Sequence, residues 1–173
     1  MEIPGKEIAE RIEKLLKREV KKLKKPITLV DFLIGNSEEQ LSFVKIKSQT
    51  AKRLGTHFET VHMKKVPSFE KFMHVLKEKS MDPNVTGIII QQPLPSQLLT
   101  NSIYDYIPDL KEIEGHKYKT SFVPPIGLSI LTALKYVFDS HKVNDHLLLD
   151  LKKDKDVFKK LMKNKKLYLW DGE

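Results

Sequence analysis

Three short apolar runs punctuate the first half of the chain, each fenced by turn-forming residues. Ile27 to Ile34 lie between Pro26 and Gly35, His57 to Met63 alternate after Gly55, and Val85 to Gln91 follow the turn Asp82-Pro83-Asn84. Near-continuous apolar strands are typical of parallel sheets, whose two faces are both covered. The intervening segments have helical character. Asn36 and Ser37 are N-cap candidates for a helix over residues 38–54, with Gly55 suited to stop it. Ser68 can cap a second helix running to about Lys79. Ahead of the first run, Ile8, Ile12, Leu15, Leu16, Val20 and Leu23 recur at helical spacing, which predicts a helix over residues 5–24 ended by Pro26. Strand, helix, strand, helix, strand implies an α/β fold, a three-layer domain with a small parallel sheet flanked by helices. Its crossovers should be right-handed.

Beyond Gln91 the pattern changes. Pro93, Pro95 and Pro108 break the chain into short pieces, and Pro124-Pro125 precede a helix over residues 127–139. Residues 140–173 are lysine-rich; Val157, Phe158, Leu161 and Met162 could line a short helix, and Leu167 to Trp170 a short strand. The expected division is a ligand-binding catalytic domain over residues 1–139 and a C-terminal appendage over 140–173.

Composition narrows the chemistry. The chain has 173 residues, 40% of them apolar, enough for a packed core. It has no cysteine, which excludes disulfides, thiolate zinc sites and thiol nucleophiles. None of its six histidines forms an HxxxH pair, so no metal is expected. No stretch reaches the roughly 18 apolar residues of a membrane span, and the N-terminus lacks a signal-peptide core, so the chain reads as cytoplasmic. The net charge of +8 admits nucleic acid as a partner. The lysines are interspersed with glutamates along helical segments, as on a solvated face, which weighs against that partner; the same field would also attract a small anion.

In a parallel sheet ligands collect at the carboxyl ends of the strands. That draws attention to Gly35–Lys47 and to Gln91–Pro95. Phe43 and Lys47, four apart, share a helix face. A lysine beside an apolar pocket can shuttle protons near neutral pH, although Lys45 and Lys47 also read as solvated helix lysines. In Gly87-Ile-Ile-Ile-Gln91-Gln92-Pro93-Leu94-Pro95 a buried strand ends in two amides. Such an amide can donate and accept, suiting a planar heterocycle or a lysine that must be held; ordinary strand-end polar residues are the alternative. In Lys111-Glu112-Ile113-Glu114-Gly115-His116 two acids flank an apolar residue, so in an extended segment both point the same way. A carboxylate there could pair with an aminopyrimidine edge, or the loop could simply be exposed and acidic.

Taken in order, these segments resemble the methylenetetrahydrofolate dehydrogenase/cyclohydrolase family over about residues 1–138. Gly5-Lys6-Glu7-Ile8-Ala9 is similar to its G-K-x-I-A start, and Phe43-Val44-Lys45-Ile46-Lys47 to its Y-V-x-x-K motif. Gly87 to Pro95 looks like G-I-x-V-Q-L-P-L-P, and Lys111 to Gly115 like K-D-V-D-G. Phe122 to Leu131 stands where the family has P-C-T-P-x-G, with Pro124 the matching residue. The departures are Phe43 for tyrosine, Glu112 and Glu114 for aspartates, Gln40 for a serine, and Pro125, Ile126 and Gly127 in the last segment.

The resemblance implies a tetrahydrofolate derivative as substrate. It makes Lys47 the acid/base of the cyclohydrolase step, Gln91 its orienting partner, and Glu114 the carboxylate that holds the pterin. Phe43 would stack on the folate, with Gln92, Pro93, Leu94, Gly115 and Pro124 lining the substrate site. The family's NAD(P) cofactor is also implied, but the chain after the residue-127 helix has no glycine before Gly172 and so no phosphate-cradling loop; dehydrogenase activity is accordingly doubtful. Two other readings stand beside the enzyme: a degenerate homologue that binds folate or a protein without turnover, and a basic nucleic-acid module. Homo-oligomerisation is left open.

Overall fold

The computed structural model describes residues 2–100, 102–117, 120, 122–140 and 142–145. The short helix and strand expected near residues 157–162 and 167–170 lie outside them. The described residues form two compact units, residues 16–125 and residues 2–15 with 126–145.

The larger unit is built on a three-stranded parallel sheet of β1 (Thr28–Ile34), β2 (His57–Met63) and β3 (Gly87–Ile90), in the order β2-β1-β3. The central strand is therefore the first, flanked on each side by a parallel partner reached through a helical crossover. Those crossovers carry α2 (Glu38–Leu54) and α3 (Phe69–Met81). Side chains alternate along β1. Val30, Phe32 and Ile34 join Phe72, Met73 and Leu76 of α3 in the principal core, with Phe32 and Phe72 edge-to-face at 5.7 Å. The residues between them face the other way, where α2 brings Lys47.

Local chemistry sets the helix limits. The Ser37 hydroxyl accepts from the Gln40 N–H at 3.4 Å and caps α2, and the Ser68 hydroxyl accepts from the Lys71 N–H at 3.3 Å and caps α3. α2 ends at Gly55, left-handed at φ 82°. A Cβ at Gly55 would meet no atom within 4 Å, so only the backbone resists substitution. Gly55→Ala is therefore expected to cost about 1–2 kcal/mol, read as a lower urea midpoint with unchanged slope.

Three boundaries differ from the sequence reading. α1 (Gly5–Val20) ends before the lysine run rather than at residue 24. The Lys22 and Leu23 N–H groups donate three residues back, to Glu19 and Val20, so the last turn tightens and stops. β3 is shorter than expected, because the Val85 N–H turns back to Asp82 while the strand pairs from Gly87. In the smaller unit α4 (Pro125–Lys135) begins at the proline itself, a favoured first-turn position, and passes into a π turn at Tyr136–Ser140. That unit also holds an ion pair between Arg11 of α1 and Asp145.

Candidate functional site

The carboxyl edge of the sheet carries a cluster centred on one amine. Lys47, on the third turn of α2, donates to the side-chain oxygen of Gln91 at 2.9 Å. Gln91 directly follows β3, and its own N–H donates to the Phe32 carbonyl at 3.0 Å, so the strand pairing itself fixes the amide. Gln91 also donates its side-chain N–H to the Gln92 carbonyl at 3.0 Å. That leaves its oxygen turned to the lysine.

Glu114 completes the triangle, with its Oε1 3.6 Å from the Lys47 amine. It arrives on an extended segment that touches the sheet through a bridge between Ile88 and Glu112, and it accepts from the Ile90 N–H at 3.3 Å. Burial raises its pKa, opposed by the charges of Lys47 and His116. The two acids of this segment have separate tasks. Glu112 is 1% exposed and accepts from the N–H groups of Glu114, His116 and Lys117 at 3.0, 3.1 and 3.4 Å. It builds the turn on which Glu114 stands. Gly115 closes that turn at φ 76°, where a Cβ would come within 3.0 Å of the Phe122 carbonyl and of Pro124.

The remaining sequence candidates are placed unevenly. Phe43 lies one turn before Lys47 and is 59% exposed. The Gln92 amide is engaged within the fold: it donates to the Tyr104 hydroxyl at 2.6 Å and accepts from the Leu94 N–H at 3.1 Å. Pro93 follows a cis peptide bond and its carbonyl accepts from the Gln40 amide at 2.8 Å, tying α2 to the strand-end loop. Leu94 is buried in the principal core rather than presented to the cluster. Pro124 is exposed beside Gly115.

Sequence reasoning missed Asp31. It is fully buried in the middle of β1, with its Oδ2 3.7 Å from the Lys47 amine. Burial lifts its pKa to about 6, against the pull of Lys47 and with a push from Glu114. The available signal was a lone charge inside the apolar run Ile27–Ile34. Tyr104 and His116 were missed as a pair; their rings stack at 4.6 Å, and His116 reaches Glu114 at 3.8 Å. Burial pushes the Tyr104 hydroxyl up to about 12.

The raised Asp31 value fixes a sign. Unfolded, the carboxyl titrates near 3.8; folded, near 6. Folding therefore takes up a proton in that window, and the stability it contributes below it is lost as pH rises through about 6. Asp31→Asn, neutral at every pH, should have a higher urea midpoint than the parent at pH 7, a difference that shrinks toward pH 4. A constant difference would contradict the assignment.

Fold and site together define an α/β domain that offers a lysine, an amide and a carboxylate at the carboxyl edge of a parallel sheet. Residues 3–114 match the family described as tetrahydrofolate dehydrogenase/cyclohydrolase, catalytic domain, and the chain belongs to that family. The bifunctional protein FolD of Staphylococcus carnosus is 32% identical over 145 residues, covering 77% of this chain and 51% of its own length. The chain thus spans about half the length of the curated relatives it matches. Among solved structures, the bifunctional FolD enzyme of Campylobacter jejuni shares the fold with a TM-score of 0.74 at 22% identity, over 78% of this chain and 52% of that one. The Trypanosoma brucei enzyme, solved with NADP cofactor and inhibitor, has a TM-score of 0.59 at 20% identity, over 64% and 39%.

Proposed function

We propose that residues 1–139 bind a tetrahydrofolate derivative and catalyse the cyclohydrolase step, opening methenyltetrahydrofolate to formyltetrahydrofolate, with residues 140–173 an appendage to that domain. The observation that carries this reading is the Lys47 amine held at 2.9 Å by Gln91 with Glu114 beside it. Family membership supplies the substrate class.

In that reaction water adds to the methenyl carbon and loses a proton, and the carbon–nitrogen bond then breaks as the leaving ring nitrogen gains one. Lys47 is the group placed to move that proton. An amine can accept it in one step and return it in the next. Gln91 keeps the amine in register, and the Glu114 carboxylate can accept from the amino and ring N–H groups of a pterin. Phe43, half-exposed beside the lysine, offers a ring face for stacking; it lacks a tyrosine's hydroxyl, so it contributes no hydrogen bond there.

The residues present do not fit a dinucleotide. The seven glycines stand singly, nowhere spaced G-x-G-x-x-G, so no pyrophosphate cradle is assigned and no hydride step is derived. Among the described residues, no three or more His, Asp or Glu side chains group to hold a metal, and no helix is long and apolar enough to cross a membrane.

The test is the loss of methenyltetrahydrofolate absorbance with purified chain, beside calorimetric titration of a folate analogue. Enzyme-dependent hydrolysis is expected. Binding without hydrolysis would leave a folate-binding domain that does not turn over, and absence of both would overturn the reading.

A further inference from the structure

Asp31 is unexpected in its place. Its sheet neighbours are Thr60 on β2 and Ile89 on β3, and its chain neighbours Val30 and Phe32 are wholly buried. It is itself inaccessible, and neither carboxylate oxygen has a hydrogen-bond partner. A carboxylate in such a position is costly unless a cation compensates it. The compensating cation is Lys47, 3.7 Å away on α2. Among the described residues, the other charge facing it is Glu114, which is like-signed and 3.6 Å from the same amine, with His116 beyond it. The amine thus has an amide oxygen in hydrogen-bond contact and two carboxylates at nearly equal distance, one from beneath and one from the loop.

We propose that Asp31 is a positioning residue for Lys47, a counter-charge sealed in the central strand beneath the amine that holds the lysine down against Gln91 at the sheet edge. Packing gives no other reason for the residue, since valine would fill the strand position without burying a charge. The ammonium can approach Asp31 by about 1 Å to make a charge-assisted hydrogen bond of normal length. The catalytic consequence alone rests on the proposed role of Lys47: with Asp31 present the amine is drawn toward the strand and kept in register with Gln91, and without it kcat should fall while KM changes little.

The test measures acetylation of Lys47 in the full chain against pH, by peptide mass spectrometry, with exposed Lys22 as internal reference. In both Asp31→Asn and Asp31→Val the acetylation rate of Lys47 near neutral pH should rise several-fold, because the counter-charge that holds the amine against the strand is gone. Lys22 should not change. Both variants should also melt no lower than the parent at pH 7, because a buried charge has been removed. Superimposable Lys47 profiles in the parent and the two variants would overturn the proposal. The second arm follows methenyltetrahydrofolate hydrolysis, where Asp31→Asn should lower kcat several-fold with KM little changed. If the parent shows no hydrolysis, the proposed function fails, while the acetylation profiles still decide the role of Asp31.

Discussion

Lys47→Ala is expected to slow methenyltetrahydrofolate hydrolysis by about 10³-fold, the scale of a lost general acid/base. The lysine is the cation at the centre of the cluster, bonded to Gln91 and flanked by two carboxylates. Removing it takes away the amine assigned to take a proton from water and return it to the leaving nitrogen. Folate-analogue affinity should change only a few-fold, because the stacking face of Phe43 and the Glu114 carboxylate remain. Lys47→Arg should fail almost as badly. A guanidinium stays protonated through the accessible pH range and cannot act as a base, and its planar fork is a poor match to one amide oxygen. The measurement is kcat from the absorbance assay, set against calorimetric affinity for each variant. Hydrolysis that persists unchanged in Lys47→Ala would remove the lysine from the reaction and with it the carrying observation.

The parts of this architecture that were legible in the sequence are those written in local signals. Ser37, Gly55 and Ser68 mark helix ends through their own hydrogen bonds and dihedral angles, and the structure uses all three as caps. The parallel pairing followed from the strand–helix–strand alternation and from β1 and β3, which are too apolar to face water; β2, with exposed His57, Glu59 and Thr60, is not. The strand order did not, because nothing local says that β1 lies between β2 and β3. Lys47, Gln91 and Glu114 were found through the order of their motifs, and the sheet edge brings them together. Other candidates illustrate why motif membership is not placement. Leu94 and Gln92 sit in the same proline-rich segment as Gln91, yet one fills the core and the other holds Tyr104. Their fates depend on what packs beneath the loop. Asp31 escaped notice for the converse reason: one polar residue in an apolar run reads as tolerance, and only the arrival of Lys47 from the next helix gives it a partner.

Glu112→Ala should produce the largest loss of stability among the site residues, about 3 kcal/mol. Glu112 is 1% exposed and its carboxylate accepts from three backbone N–H groups, of Glu114, His116 and Lys117. Hydrogen bonds to a charged acceptor each contribute roughly 1.5–3 kcal/mol, and N–H groups left buried without one carry a desolvation cost. The full sum is not expected, since the emptied turn can open and admit water to some of them. Glu112→Gln should fall between the parent and alanine. One oxygen serves Glu114 and the other serves His116 and Lys117, so a single amide oxygen can satisfy only one set while its NH2 meets the other. The urea midpoint reads the stability, and amide hydrogen exchange at Glu114, His116 and Lys117 reads the turn. Exchange at those three positions should accelerate well before the amides of β1 respond. The substitution should also weaken folate-analogue binding, because the turn that Glu112 builds carries Glu114 to within 3.6 Å of the lysine. Protection factors at the three amides equal to those of the parent would show that the turn is held by other means, and the link from Glu112 through Glu114 to Lys47 would be broken.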